Sequence, residues 1–144
     1  MKTHVEFRSD AFPPEEDGAD ELNPGCIELA KFLSRNLKGK GFETEEPGEE
    51  DWGWMVPIKN KDFALWIGCG CYRDENHDDG FLCFIEPHTP TIRRFGFLWK
   101  LDVSERVTTL QRALNEVLSE HPGVRDIRWW TYDGFNRPRR SVRD

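Results

Sequence analysis

Glu49-Glu50-Asp51-Trp52-Gly53-Trp54-Met55-Val56-Pro57-Ile58 passes from acidic to aromatic to apolar within a few residues. Trp52, Trp54, Val56 and Ile58 are spaced two apart. In a strand they share one face, and Gly53, Met55, Pro57 and Lys59 share the other. Aromatic and β-branched residues suit a pleated, half-buried surface. Gly53 leaves room for a neighbouring backbone or side chain. Pro57 donates no hydrogen bond, so the strand is expected to be an edge there or to carry a bulge. The tryptophans read as core rather than as a stacking platform, and truncating Trp54 to Ala is expected to cost ~3–5 kcal/mol.

Downstream, Lys59-Asn60-Lys61-Asp62 is a turn. Phe63, Leu65, Ile67, Cys69 and Cys71 then share one face of a second strand, with Ala64, Trp66, Gly68, Gly70 and Tyr72 on the other. Two glycines in alternate positions predict a close neighbour or a shallow groove there. Arg73 to Asp79 reads as a polar hairpin loop. Gly80 to Glu86 is apolar on both faces and so central. After the break at Pro87 to Pro90, the alternation of Phe95, Phe97, Trp99 and Leu101 suggests one more strand. Asp102 then caps a helix, with Glu105 in the reciprocal position. Val103, Val107, Leu110, Leu114, Val117 and Leu118 form its apolar face, and His121-Pro122-Gly123 ends it. Val124 to Tyr132 is a last strand, with Ile127, Trp129 and Thr131 on one face and Asp126, Arg128, Trp130 and Tyr132 on the other.

Upstream, Thr3, Val5 and Phe7 alternate with His4, Glu6 and Arg8 in a short half-buried strand. Ser9 to Leu22 reads as a loop with little apolar matter. Asn23-Pro24 predicts a helix start, Asn as the cap and Pro at the first helical position. Cys26, Leu29, Ala30, Leu33 and Leu37 fall on one helical face, and Gly39 or Gly41 ends the helix. Phe42 to Glu45 is a candidate short strand, and Glu46-Pro47-Gly48-Glu49 a turn. The fold class is therefore α+β: an antiparallel sheet of about five or six strands with two helices on one face, in the order β-α-β-β-β-β-α-β. Residues 1–135 form a single domain and 136–144 a basic, flexible tail.

The 144 residues can bury a real core. No run of about eighteen apolar residues is present, so no membrane span is expected. The N-terminus lacks the apolar segment of a signal peptide, which points to the cytoplasm, where the four Cys are reduced thiols. The net charge of −7 argues against a nucleic-acid partner. Acidic residues cluster between Asp10 and Glu21, between Glu43 and Asp51, and between Asp74 and Asp79, whereas the last residues are rich in Arg. Such runs are ordinarily solvated; here they also offer an acidic surface to a basic protein.

No cofactor or metal site emerges. Cys69, Cys71, His77 and Cys83 lack the knuckle spacing of structural zinc. Asp74 to Gly80 places His77 at a calcium-ligand position and is flanked by strands rather than helices. No His has a nucleophile motif around it, and no glycine-rich phosphate loop occurs. No catalytic residue is assigned. Arg128, Trp130 and Tyr132 are residue types enriched at binding hot spots, and on an open sheet face they would join Trp66 or Tyr72.

The stretch Glu50 to Trp54, followed by Leu65-Trp66-Ile67-Gly68-Cys69, resembles small bacterial proteins of unknown function, over residues 42 to 72. Some small acidic α+β proteins of that kind are toxin-immunity proteins. The resemblance implies a bacterial, stand-alone cytoplasmic protein and brings no catalytic residue with it. The expected function is a non-enzymatic protein-binding module of the immunity-inhibitor kind, using Glu49, Glu50, Asp51, Trp66, Tyr72, Arg128, Trp130 and Tyr132. The alternative is a small-ligand binder or enzyme with a groove over Gly68 and Gly70. A homodimer through the Trp130 face is a third arrangement open to this sequence.

Overall fold

A computed structural model describes residues 1–72, 78–94 and 99–137 of the chain. In chain order the elements are β1 (Lys2–Ser9), α1 (Cys26–Lys38), β2 (Gly48–Glu50), β3 (Gly53–Ile58), β4 (Leu65–Cys71), β5 (Gly80–Glu86), β6 (Thr91–Arg94), β7 (Trp99–Asp102), α2 (Ser104–Glu120), β8 (Val124–Thr131) and α3 (Tyr132–Asn136). The class is α+β. Six strands form one sheet in the spatial order β2-β3-β4-β5-β1-β8, antiparallel at every pairing. The single strand expected around residues 91 to 101 is instead a hairpin, β6 with β7, forming a separate two-stranded sheet. Phe95 and Phe97 lie outside the described residues.

Period-2 and period-3.6 patterns meet on one side of the large sheet. Val5, Phe7, Val56, Ile67, Phe81 and Ile85 on the strands join Leu29, Leu33 and Leu37 of α1 and Val107, Leu110 and Leu114 of α2 in one buried cluster. α1 lies against β3 and β4, α2 against β8, β1 and β5, and the two helices touch each other. The short α3, which the sequence reading took partly for strand and partly for tail, lies across β8 and β1 on the opposite face.

Several local features differ from the sequence reading, each for a nameable reason. Asn23 does not cap α1. The N-cap is Gly25, in a left-handed conformation (φ 88°), and the Asn23 Oδ1 accepts from the Cys71 amide instead. A side chain at Gly25 would meet the Phe12 carbonyl at 2.3 Å. The loop before it is pinned rather than loose. Phe12 is buried against Phe32 and Phe81, and Asp20, 3% exposed, accepts from the amides of Glu15 and Gly25.

The turn before the tryptophan strand is Asp51-Trp52, between the paired residues Glu50 and Gly53, and Gly48 to Glu50 is strand. Gly53 has φ 154°, and a Cβ there would sit 2.1 Å from the Cys69 carbonyl oxygen. That backbone geometry throws Trp52 to the other face: Trp54 packs against the core, whereas Trp52 stacks on Trp66. Pro57 lies beyond the short β2, where its carbonyl accepts from the Glu45 amide and no donor is needed.

β1 is an interior strand with both faces covered, so His4 (6% exposed) and Glu6 (8%) are buried rather than solvated. In β8 a bulge at Asp126 (φ 57°) resets the alternation. Val124, Ile127 and Trp129 all reach the core, and Arg128 and Trp130 face away.

Candidate functional site

Two acidic segments far apart in sequence form the walls of one cleft. It encloses about 590 Å³ and is lined by Gly18 to Asn23 on one side and by Glu49, Glu50, Asp51, Gly53 and Trp54 on the other. Asp20 holds the first wall in place through its two amide hydrogen bonds. The β2–β3 hairpin supplies the second. Glu21, Glu49, Glu50 and Asp51 are exposed, and among the described residues none of them makes an ion pair. Like charges gathered in a concave, partly apolar setting reinforce one another's potential. Leu22, 84% exposed, stands at the rim as an apolar knob.

The sheet face opposite α1 and α2 carries an aromatic layer. Trp52 stacks on Trp66 (centroids 5.6 Å apart) and leans on Phe84 (5.1 Å). Phe84 in turn lies beside His4, whose ring is stacked between Phe84 (5.5 Å) and Phe135 of α3 (5.3 Å). Tyr132 meets the edge of His4 and stacks on His88 at 3.8 Å, and Tyr72 meets Phe135. The Trp130 Nε1 donates to Glu6 Oε1 (3.0 Å), and His88 Nδ1 bonds Glu86 (2.8 Å). Burial pushes the His4 imidazole down to about 4, helped by the nearby His88, so His4 is neutral at neutral pH.

The expected partner-facing residues thus divide into two sets. Glu49, Glu50 and Asp51 gather at the β2 edge, in the cleft. Trp66, Tyr72, Trp130 and Tyr132 share the aromatic face, and Arg128 is exposed on β8 opposite Glu6. The hairpin tip joins the sets, since Asp51 lines the cleft and the next residue, Trp52, lies on the aromatic layer. Sequence reasoning missed Leu22, His4, Phe84, Glu86, His88 and Phe135. Alternation did place His4 and Glu6 on the non-core face of β1, but their partners come from residues 84 to 88 and 130 to 135.

Among the described residues, neighbours lie close over Gly68 and Gly70. A Cβ at Gly68 would meet the Phe84 ring at 2.3 Å, and one at Gly70 would meet the Trp52 carbonyl at 3.4 Å. The Phe84 ring thus fills the bare position at Gly68, while at Gly70 the Trp52 carbonyl lies at ordinary contact distance. Cys26, Cys69, Cys71 and Cys83 are free thiols. Among the described residues no three His, Cys, Asp or Glu gather to hold a metal. His77 and most of the Asp74 to Gly80 segment lie outside the described residues. Among the described residues no hydroxyl or thiol is hydrogen-bonded to His88, whose Nδ1 bonds Glu86. No described helix is long and apolar enough to cross a membrane. No protein-family model matches the chain, and no curated protein or solved structure is significantly similar to it.

Proposed function

We propose that this protein is a non-enzymatic binding module for a basic protein partner. The reading is carried by the convergence of the 18–23 loop and the 49–51 hairpin on one cleft, with four exposed carboxylates that make no ion pair among the described residues. A Lys- or Arg-bearing segment entering the cleft would satisfy them. Their field would steer its approach. Leu22 at the rim and Trp52 at the hairpin tip supply apolar contact beside the charge, and Trp66 supports Trp52 from below. An inhibitor of the toxin-immunity type is the form of this function to which the Glu50-to-Trp54 resemblance points.

Affinity capture from a lysate of the source organism, at low and moderate salt, tests this reading. The bait is the wild-type chain, with a Glu49→Gln/Glu50→Gln/Asp51→Asn variant beside it. One stoichiometric basic partner is expected, weakened by salt and bound by the variant with an association rate lower by about tenfold or more. Equal association kinetics for the two baits would refute the acidic-cleft reading.

A further inference from the structure

A thiol pair lies under the cleft. Cys26 is the first residue of α1 and fully buried, and Cys71 is the last residue of β4 and half-buried. Their sulfurs are 4.0 Å apart, although the residues are 45 apart in sequence. The Cys71 thiol donates to the Pro24 carbonyl (3.5 Å), and its amide donates to Asn23 Oδ1 (3.4 Å). Asn23 is itself part of the cleft wall. The pair therefore sits where the 18–23 loop runs into α1 and where β4 ends.

We propose that Cys26 and Cys71 form an oxidative modification site, closed to a disulfide by a peroxide oxidant. The sulfurs, already in contact at 4.0 Å, would close to the bonded distance of about 2.05 Å. The Cys71 thiolate attacks one peroxide oxygen, breaking the O–O bond, releasing hydroxide and leaving a sulfenic acid. The Cys26 sulfur then attacks the sulfenic sulfur and gives up its proton as water departs. Two thiols and one hydrogen peroxide become one disulfide and two waters, and two electrons pass from sulfur to oxygen. Cys26 is fully buried and Cys71 half-buried, so Cys71 meets the oxidant and Cys26 resolves the sulfenic acid; the contact with the Cys71 thiol, and then burial, push the Cys26 thiol up.

A second pair serves as an internal control. Cys69 and Cys83 face each other on β4 and β5 with sulfurs 3.9 Å apart. The distance is equivalent, but both residues are fully buried, and the contact with Cys83, followed by burial, pushes the Cys69 thiol up. An oxidant reaches Cys71 first. The ring closed by a 26–71 bond contains the whole β2–β3 hairpin, which is one wall of the cleft, and the 18–23 wall runs into its anchor at the start of α1. A regulatory consequence for the cleft rests on the binding function proposed above; the bond itself does not.

The full-length protein is treated with hydrogen peroxide, its remaining thiols are alkylated, and the peptides are mapped without reductant. The expected result is a crosslink between the Cys26 and Cys71 peptides, two hydrogens lighter than the thiols. It should be reversed by dithiothreitol, absent in Cys71→Ser and retained in Cys83→Ser. The oxidised protein should melt several degrees higher. Four alkylated thiols, a Cys69–Cys83 crosslink alone, or Cys71 carried to sulfinic acid without a crosslink would each overturn the proposal. Captured partner should leave the oxidised protein more slowly than the reduced one. Equal dissociation would overturn the regulatory consequence, and a crosslink with no partner captured by either form overturns the binding function alone.

Discussion

The two faces of the six-stranded sheet are built from the same strands by different means. On the helix side, aliphatic side chains interlock with two amphipathic helices, and Val5, Ile67, Ile85, Leu110 and Leu114 are fully buried. On the other side, rings lean on rings: Trp52, Trp66, Phe84, His4, Phe135 and Tyr132 form a layer one side chain deep, and several members keep contact with water. The first face is a core because helices cover it. The second is partly closed by a five-residue helix and by a hairpin tip. The second holds a neutral imidazole and two carboxylates among its rings, and its integrity depends on protonation as well as on shape.

Ile85 and Phe84 are adjacent on β5 and face opposite sides, so truncating each measures the two faces on one backbone. Ile85→Ala is expected to cost about 4 kcal/mol, because the void would be walled by helix and sheet that cannot collapse. Phe84→Ala removes more atoms but opens onto a layer that water already reaches. It is expected to cost about 2 kcal/mol in denaturant unfolding. Equal losses would mean that the aromatic layer is a second complete core and that the distinction drawn here fails.

His4 supplies the next test. Its imidazole is held down to about 4 in the folded protein, against about 6.5 in the unfolded chain. Between those values the unfolded state binds the extra proton. The stability contributed by the buried neutral ring is therefore complete above pH 6.5, declines as the pH falls toward 4, and is flat below that. The expected decline is on the order of 2 kcal/mol. It should be visible as the difference between wild type and His4→Leu in urea unfolding across that window. A constant difference would show that the ring titrates freely and that the aromatic face is open to solvent at His4.

The smallest effect belongs to the hairpin tip. Trp52 is 39% exposed and stacks on Trp66. Trp52→Ala is expected to lower stability by about 1 kcal/mol. It should alter the fluorescence of the remaining tryptophans while weakening partner capture more than stability. If capture is untouched, the aromatic layer is structural and the cleft acts without it.

Much of this molecule was readable from local pattern. The apolar positions of α1 and α2 repeat at helical spacing, and the buried sets of β3, β4 and β5 repeat at every second residue. Glu49 to Asp51 were recognisable as a charged run. The run itself did not say that the loop around Asp20 would stand opposite it. Trp52 illustrates the limit within a single motif. Alternation assigned it to the same face as Trp54, but a two-residue turn ending on a glycine with φ 154° reversed it. The glycines of β4 illustrate the reverse error, because a bare strand position reads as a groove until the ring that fills it is placed.

The sequence by itself determined the two long helices and the longer strands, most of the stripe that each buries, and that charge would crowd into a few loops. These follow from side-chain periodicity and from the cost of burying charge, both local properties. Tertiary structure alone decided that β1 lies between β5 and β8, which sets His4 opposite Phe84 and Trp130. It also decided that two acidic segments meet at one cleft and that Cys26 meets Cys71. Strand register over such separations is chosen by the whole set of long-range contacts at once, and no window of the chain carries that information.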